Sequence, residues 1–170
     1  VIGVGSFLFH TFATRWAGLA DTGPILVFIL VYIFAATRRF FNASPWLSLA
    51  ASAGFIAFSA FFARAWAANM PSFNGSEGYF PVMIFLIGYG AALAYRRHPA
   101  ASGLIAGAAV FSLSLTFRSI DHAVCATFPL GAHFMWHILN GVLLGTVMIT
   151  FIRHGAPPQA ARLARPFAQG

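Results

Sequence analysis

Six stretches of mostly apolar residues, separated by short polar breaks, constrain the fold of this 170-residue chain more than any other feature. A membrane span needs about 20 such residues, or somewhat fewer where it is short or tilted. The predicted spans, in chain order, are 1–14, 21–36, 45–63, 79–95, 99–117 and 131–152. Charged residues make up only 8% of the chain, whereas a soluble domain carries about 25%. The sequence therefore predicts an integral membrane protein.

The same composition excludes three other classes of protein. Intrinsic disorder is excluded because 59% of the residues are hydrophobic. A disulfide-built scaffold is excluded because Cys125 is the single cysteine. The net charge of +7 does not indicate a nucleic-acid partner, since the arginines are scattered between apolar stretches and do not cluster on one face.

The predicted spans are helices. Backbone exposed to lipid must satisfy its own hydrogen bonds, as a helix or a closed barrel does, and the run 25–34 lacks the alternation of barrel strands. We predict an all-α, multi-pass transmembrane helix bundle, with a transmembrane domain over 1–154 and a poorly ordered cytoplasmic tail over 155–170. Because the chain starts inside an apolar run, we also expect one further span to precede residue 1.

Arginine residues set the predicted orientation, because short cytoplasmic loops carry an excess of positive charge. Seven arginines fall on one side of the predicted spans, and three fall on the other side with all three acidic residues. The seven are Arg38, Arg39, Arg96, Arg97, Arg153, Arg162 and Arg165. The C-terminus is therefore predicted to be cytoplasmic. The chain uses arginine and no lysine, and it is rich in alanine. This composition favours a bacterial inner membrane.

Ionisable residues inside membrane spans are costly and usually functional. Ser6 and His10 are four residues apart in the first span, as are His133 and His137 in the sixth, so each pair shares a helix face. At ~1.5 Å per residue, His10 lies roughly 7 Å below the periplasmic or lumenal end of its helix, level with the first turns of the sixth. Asp21 is predicted to open the second helix at the same membrane face, where it also suits an N-cap.

Three histidines at one depth predict a metal site. Three imidazoles leave one position of a tetrahedral zinc ion open, as in catalytic sites, although iron, nickel and copper accept the same ligands. Zinc lowers the pKa of bound water to ~7. Asp21 is then the predicted proton acceptor, and Ser6 the predicted hydrogen-bond donor to a developing oxyanion. Asp121 is a predicted acceptor for the second N–H of a zinc-bound histidine, and Trp136 is predicted to line the substrate pocket or pack in the core.

Four segments resemble motifs of the alkaline ceramidase family, which are seven-helix membrane hydrolases related to the adiponectin-receptor-like proteins. Residues 5–11 resemble the family's G-S-x-x-F-H motif, and Asp21 with Pro24 resembles its D-x-x-P. Residues 120–125 are similar to I-D-x-x-x-C, and residues 133–141 (HFMWHILNG) to H-x-x-W-H-I-L-x-G. The four segments occur in the family's order.

The resemblance implies a seven-helix fold and hydrolysis of the ceramide amide bond to a sphingoid base and a fatty acid. By position, it implies zinc ligation by His10, His133 and His137. It makes Asp21 the acid/base residue and Ser6 the residue that steadies the oxyanion or orients water. The calcium-binding N-terminal segment of eukaryotic members has no counterpart among these residues.

Other functions stay open at this stage. The chain can hydrolyse another lipid amide or ester, or act as a non-catalytic zinc-containing lipid receptor. A membrane haem protein is disfavoured, because His133 and His137 share one helix face and cannot ligate the two faces of one haem. The predicted partners are a ceramide-like membrane lipid and the bilayer, with no nucleic acid and no obligate protein partner.

Overall fold

The computed structural model describes residues 1–155, which form helices joined by short connections, with no β-strand among them. The helices are α1 (Ile2–Phe12), α2 (Arg15–Phe40), α3 (Pro45–Asn69), α4 (Phe80–Tyr95), α5 (Ala101–Val124) and α6 (His133–His154), and a 3₁₀ turn (Ser76–Tyr79) precedes α4. Five segments are long and apolar enough to cross a membrane, and α1 is a shorter apolar helix. The predicted all-α, multi-pass transmembrane class is confirmed. All but the first residue of the predicted tail lies outside the described residues.

Helix α5 extends beyond its predicted end at residue 117 and finishes at Val124. Charged residues suggested that end, but both charges have partners in the folded chain. The guanidinium of Arg118 lies over the Trp136 ring, 5.1 Å from its centroid. The Asp121 carboxylate accepts a hydrogen bond of 2.9 Å from the backbone N–H of His133. Because the charges are accommodated, the helix continues through them.

Helix α2 begins six residues earlier than predicted, at Arg15, with the extended residue Thr14 as its N-cap. The prediction that Asp21 opens this helix or caps it was therefore wrong, since Asp21 lies within the second turn. Pro24 lies in the interior of this helix. The polar residues at positions 15 and 21 interrupt the apolar pattern, so the pattern alone could not locate the true start.

The described chain divides into two compact units, Val1–Phe55 (unit 1) and the described residues from Ile56 onward (unit 2), and the division falls inside α3. In unit 1, α1 packs against α2. The hydroxyl of Ser52 also donates a 3.0 Å hydrogen bond to the carbonyl of Leu30, which ties the first part of α3 to α2.

In unit 2, α5 packs against both α4 and α6. The buried apolar side chains of this core include Leu86, Leu93, Leu104, Phe111, Leu115, Trp136, Leu143 and Val147. Gly107 lets α5 and α6 approach closely, because a Cβ there would lie 3.3 Å from Val147. The close α5–α6 contact positions the first turns of α6, which carry the predicted histidines.

Candidate metal centre and active site

The two histidines of α6 lie next to each other at its start. His133 is the first residue of the helix, and His137 follows one turn later. Their ring centroids are 4.9 Å apart, with an interplanar angle of 74°. The helix thus places the two imidazoles side by side, as their four-residue spacing predicts.

Asp121 of α5 caps α6 from outside that helix. Its Oδ1 accepts hydrogen bonds from the backbone N–H groups of Ala132 (2.6 Å) and His133 (2.9 Å). The N-cap position itself is Ala132, which has no side-chain acceptor. A carboxylate is favourable here, because the first N–H groups of a helix lack intrahelical partners and carry partial positive charge.

The second oxygen of the same carboxylate faces the first histidine. Asp121 Oδ2 lies 3.9 Å from His133 Nδ1. One carboxylate therefore contacts both the backbone and the ring side of His133, which restrains that residue from two directions. This is the neighbour that a metal-binding histidine commonly has on its second nitrogen.

Gly131 makes this arrangement sterically possible, and the sequence predictions did not single it out. Its φ is +63°, a conformation that residues with a Cβ rarely adopt. A Cβ at this position would lie 2.5 Å from Asp121 Oδ1 and 3.0 Å from Cys125 Sγ. A glycine two residues before a predicted histidine ligand was the available signal for a tight turn.

Trp136 packs in the core of unit 2, which is one of its two predicted roles. Only 5% of its surface is exposed. Its ring centroid lies 4.9 Å from that of Tyr79 and 6.1 Å from that of Phe111. Because Trp136 lies between the two histidines in sequence, this packing fixes the rotation of α6 about its axis.

A hydroxyl on α5 also holds the histidine-bearing turns of α6. Ser114 is fully buried, and its hydroxyl lies 3.2 Å from both the backbone carbonyl of Trp136 and the side-chain carbonyl of Asn140. This contact joins the helices two turns below the capping carboxylate. The two histidines therefore sit on a segment of α6 that polar contacts restrain at both ends.

In unit 1, helix α1 places Ser6 and His10 on one face, because they are one turn apart. The residue before Ser6 is the buried Gly5, which packs against the backbone of α2. A Cβ on Gly5 would overlap the carbonyl oxygen of Ala20 and lie 3.1 Å from Asp21 Cα. The α1–α2 contact therefore brings the Ser6 turn next to the Asp21 turn.

Pro24 modifies α2 at that contact. Proline has no N–H, so residue 24 cannot donate the usual helical hydrogen bond to the carbonyl of Ala20. That carbonyl is the group against which Gly5 packs. Among the described residues of unit 1, no hydrogen bond or ion pair involves the side chain of Ser6 or Asp21, and both residues are half-buried. Within unit 1, packing of the helix backbones therefore brings these two polar groups together.

The three predicted histidine ligands each offer one imidazole nitrogen as a ligand atom. His10 belongs to unit 1, and His133 and His137 belong to unit 2. No family model, curated protein or solved structure matches this chain. The function of this chain is therefore inferred from the chemistry of these residues and from their motif resemblance.

Proposed function

We propose that this chain is a zinc-dependent intramembrane amide hydrolase that cleaves ceramide-like lipids to a sphingoid base and a fatty acid. The observation that carries the proposal is the pair of adjacent imidazoles on α6, with the Asp121 carboxylate 3.9 Å from His133 Nδ1. Two histidines one turn apart, with a carboxylate beside one of them, are a typical part of a histidine-ligated metal site.

These residues fit a zinc ion by donor type. Neutral imidazole is a preferred zinc ligand, and a carboxylate at Nδ1 favours the tautomer that carries its proton there. In this proposal, His133 ligates through Nε2 and His137 and His10 each contribute one nitrogen. Three protein ligands leave one position for water or substrate, which is the pattern of catalytic zinc sites.

When bound, zinc supplies Lewis-acid polarisation of a carbonyl group and activation of water at neutral pH. The Asp21 carboxylate accepts a proton from water as the new C–O bond forms at the amide carbon. It returns that proton to the amide nitrogen as the C–N bond breaks, which releases an amine and a carboxylic acid. The Ser6 hydroxyl donates a hydrogen bond to the carbonyl oxygen as negative charge develops there.

The membrane setting favours a lipid substrate. The five long apolar helices make this an integral multi-pass membrane protein, and an amide-linked lipid reaches such helices laterally from the bilayer. The arginine distribution supports a cytoplasmic C-terminus. The proposal therefore places the active site towards the periplasmic or lumenal side, with a bacterial inner membrane as the favoured location.

The test compares Asp21→Ala and Asp21→Asn with wild type and with Thr22→Ala, a change at the neighbouring exposed position. Purified protein is analysed for metal by mass spectrometry, and ceramide turnover is followed by lipid-product mass spectrometry. Both Asp21 variants should keep most of their zinc and lose about 10²- to 10⁴-fold in hydrolysis, the usual contribution of a general acid/base. Thr22→Ala should behave as wild type.

Three outcomes would contradict the proposal. Equal hydrolysis by wild type and Asp21→Asn would remove Asp21 from the mechanism. A zinc-loaded wild-type protein that binds ceramide without turnover would instead be a lipid receptor. A Soret absorbance band in the purified protein would point to haem.

A further inference from the structure

Arg118, in the penultimate turn of α5, forms no direct ion pair among the described residues. Its guanidinium lies over two aromatic rings, 5.5 Å from the centroid of Tyr79 and 5.1 Å from that of Trp136. Its Nε is buried and has no hydrogen-bond partner. A buried unpaired donor is rare in folded proteins and calls for a partner.

The nearby carboxylate of Glu77 interacts with the charge of Arg118 but makes no direct contact with it. Glu77 directs its carboxylate to its own loop, where it accepts hydrogen bonds from the Ser72 hydroxyl (2.7 Å) and the Phe73 N–H (3.0 Å). No ion pair joins it to Arg118 within the described residues. Glu77 therefore does not satisfy the buried Nε of Arg118.

The loop before α4 closes over Arg118. The side chain of Asn74 donates a 3.0 Å hydrogen bond to the Arg118 carbonyl. Gly75 has a φ of +74°, and a Cβ there would lie 3.3 Å from Arg118 Nη2. Glycine at this position thus lets the loop pack directly against the guanidinium.

A second unpaired donor follows directly in this loop. Ser76 is fully buried, and its hydroxyl has no hydrogen-bond partner. Two buried donors on adjoining segments, one of them cationic, both lack an acceptor. An anionic oxygen group that reached both donors would satisfy them, and guanidinium binds phosphate with paired hydrogen bonds.

We propose that Arg118 and Ser76 form a binding site for a phosphate group, supplied by a lipid headgroup or by free phosphate. The depth suits a headgroup. Ser76 begins one membrane-spanning segment, and Arg118 lies six residues before the end of another. At ~1.5 Å per residue, Arg118 is about 9 Å from that helix end. Aromatic walls lower the local dielectric and strengthen charged hydrogen bonds.

The site is independent of the proposed hydrolysis, but it adjoins the histidine pair. Trp136, which receives the guanidinium on its ring, lies between His133 and His137 in sequence. A phosphate-bearing lipid held at Arg118 would therefore lie beside the first turns of α6. Because phosphate also binds zinc, the test has to separate the two sites.

The experiment measures binding by isothermal titration calorimetry with the full chain in dodecyl maltoside micelles. The probes are dihexanoyl phosphatidic acid, inorganic phosphate and, as the neutral control, dihexanoylglycerol. Arg118→Gln should weaken binding of the phosphatidic acid about tenfold or more, since hydrogen bonds to charged groups are the strong ones. Arg153→Gln is the matched control, because Arg153 is an exposed arginine in the last turn of α6, and should bind as wild type.

A chelator separates this site from the metal centre. Binding at Arg118 should persist after zinc is removed, whereas loss of binding on chelation would overturn the proposal. Competition by inorganic phosphate identifies free phosphate as a ligand, and binding of phosphatidic acid alone identifies a headgroup. Equal affinity of wild type and Arg118→Gln would also overturn it.

A second variant keeps the proposal testable if Arg118→Gln does not fold. Ser76→Ala removes only the unpaired hydroxyl and should weaken phosphatidic acid binding at least threefold. Ser102→Ala, at an exposed position in the first turn of α5, is its control. Wild-type affinity in Ser76→Ala would then contradict the assignment.

Discussion

The two units hold their candidate site residues in different ways. In unit 2, hydrogen bonds restrain the histidine-bearing turns of α6, through Asp121 at the helix start and Ser114 two turns below. In unit 1, the side chains of Ser6 and Asp21 have no hydrogen-bond partner within that unit. A close backbone approach at Gly5 brings their turns together instead.

This difference follows the chemistry proposed for each unit. A metal ligand needs a fixed ring orientation, and a neighbouring carboxylate provides it. A carboxylate that takes up and returns a proton needs access to water and substrate, so permanent hydrogen bonds would compete with its function. Substitutions in unit 2 should therefore change stability or metal affinity by removing polar contacts. Substitutions in unit 1 should change stability by disturbing packing.

The largest effect is expected from Gly5→Ala in unit 1. The added Cβ overlaps the carbonyl oxygen of Ala20, so α1 must shift away from α2. Overpacking of this kind costs about 1–3 kcal/mol and occasionally more. Thermal unfolding in detergent measures the loss, with Gly3→Ala as control because nothing lies within 4 Å of a Cβ at that position. Equal stability of the two variants would contradict the close approach.

A somewhat smaller effect is expected from Asp121 in unit 2. Asp121→Asn keeps an oxygen to cap α6 but removes the charge beside His133. Loss of such a carboxylate typically lowers metal affinity about 10- to 100-fold, which a competitive zinc chelator measures. Asp121→Ala should additionally lose about 1 kcal/mol of stability as the cap disappears. Unchanged zinc affinity in Asp121→Asn would show that this carboxylate serves only as a cap.

A still smaller effect, on stability, is expected from Ser114→Ala. Removing the hydroxyl breaks the contact to the Trp136 and Asn140 carbonyls, which costs about 1 kcal/mol for a typical hydrogen bond. Thermal unfolding should show this loss, while Ser102→Ala, at an exposed position, should not. If the two serine variants unfold alike, the α5–α6 hydroxyl contact does not restrain the α6 turns.

The smallest effect concerns His98, in the connection between α4 and α5. Burial, and secondly the charge of His154, lower the pKa of His98 below its ordinary value. Its Nδ1 accepts the backbone N–H of Ala100 at 3.2 Å, which also favours the neutral ring. The folded chain thus binds this proton less readily than the unfolded chain.

The contribution of His98 to the free energy of unfolding should therefore be fully present above the ordinary histidine pKa of about 6.5. It should decline as the pH falls below that value. Unfolding midpoints across this range check the prediction. His98→Asn should remove this part of the pH dependence. A midpoint that rises as the pH falls, and does so only when His98 is present, would contradict it.

Much of this architecture was predictable from the sequence, because apolar length alone identifies membrane-spanning helices. The helix boundaries were less predictable. Arg118 and Asp121 suggested that α5 ends early, but their partners belong to other segments of unit 2. Asp21 suggested a helix start, but α2 begins at Arg15, with Thr14 at the N-cap position. Charged residues mark an end only where no distant partner accommodates them, and a single sequence does not reveal that partner.

The candidate site, like the fold, was only partly predictable from the sequence. The four-residue spacing of His133 and His137 predicted their common helix face, since helix geometry is local. The roles of Gly131 and Ser114 were not predictable, because they depend on where α5 lies against α6. The ligand set that includes His10, and the roles of Ser6 and Asp21, stay predictions.

Zinc content tests the central claim most directly, because His10, His133 and His137 are proposed to share one ion. Zinc per chain should be measured by mass spectrometry for wild type, for each histidine-to-alanine variant, and for His122→Ala, an exposed histidine beside Asp121. About one zinc per chain is expected in wild type and His122→Ala, and less than about a tenth in each of the three ligand variants. Full zinc content in His10→Ala would contradict the shared site.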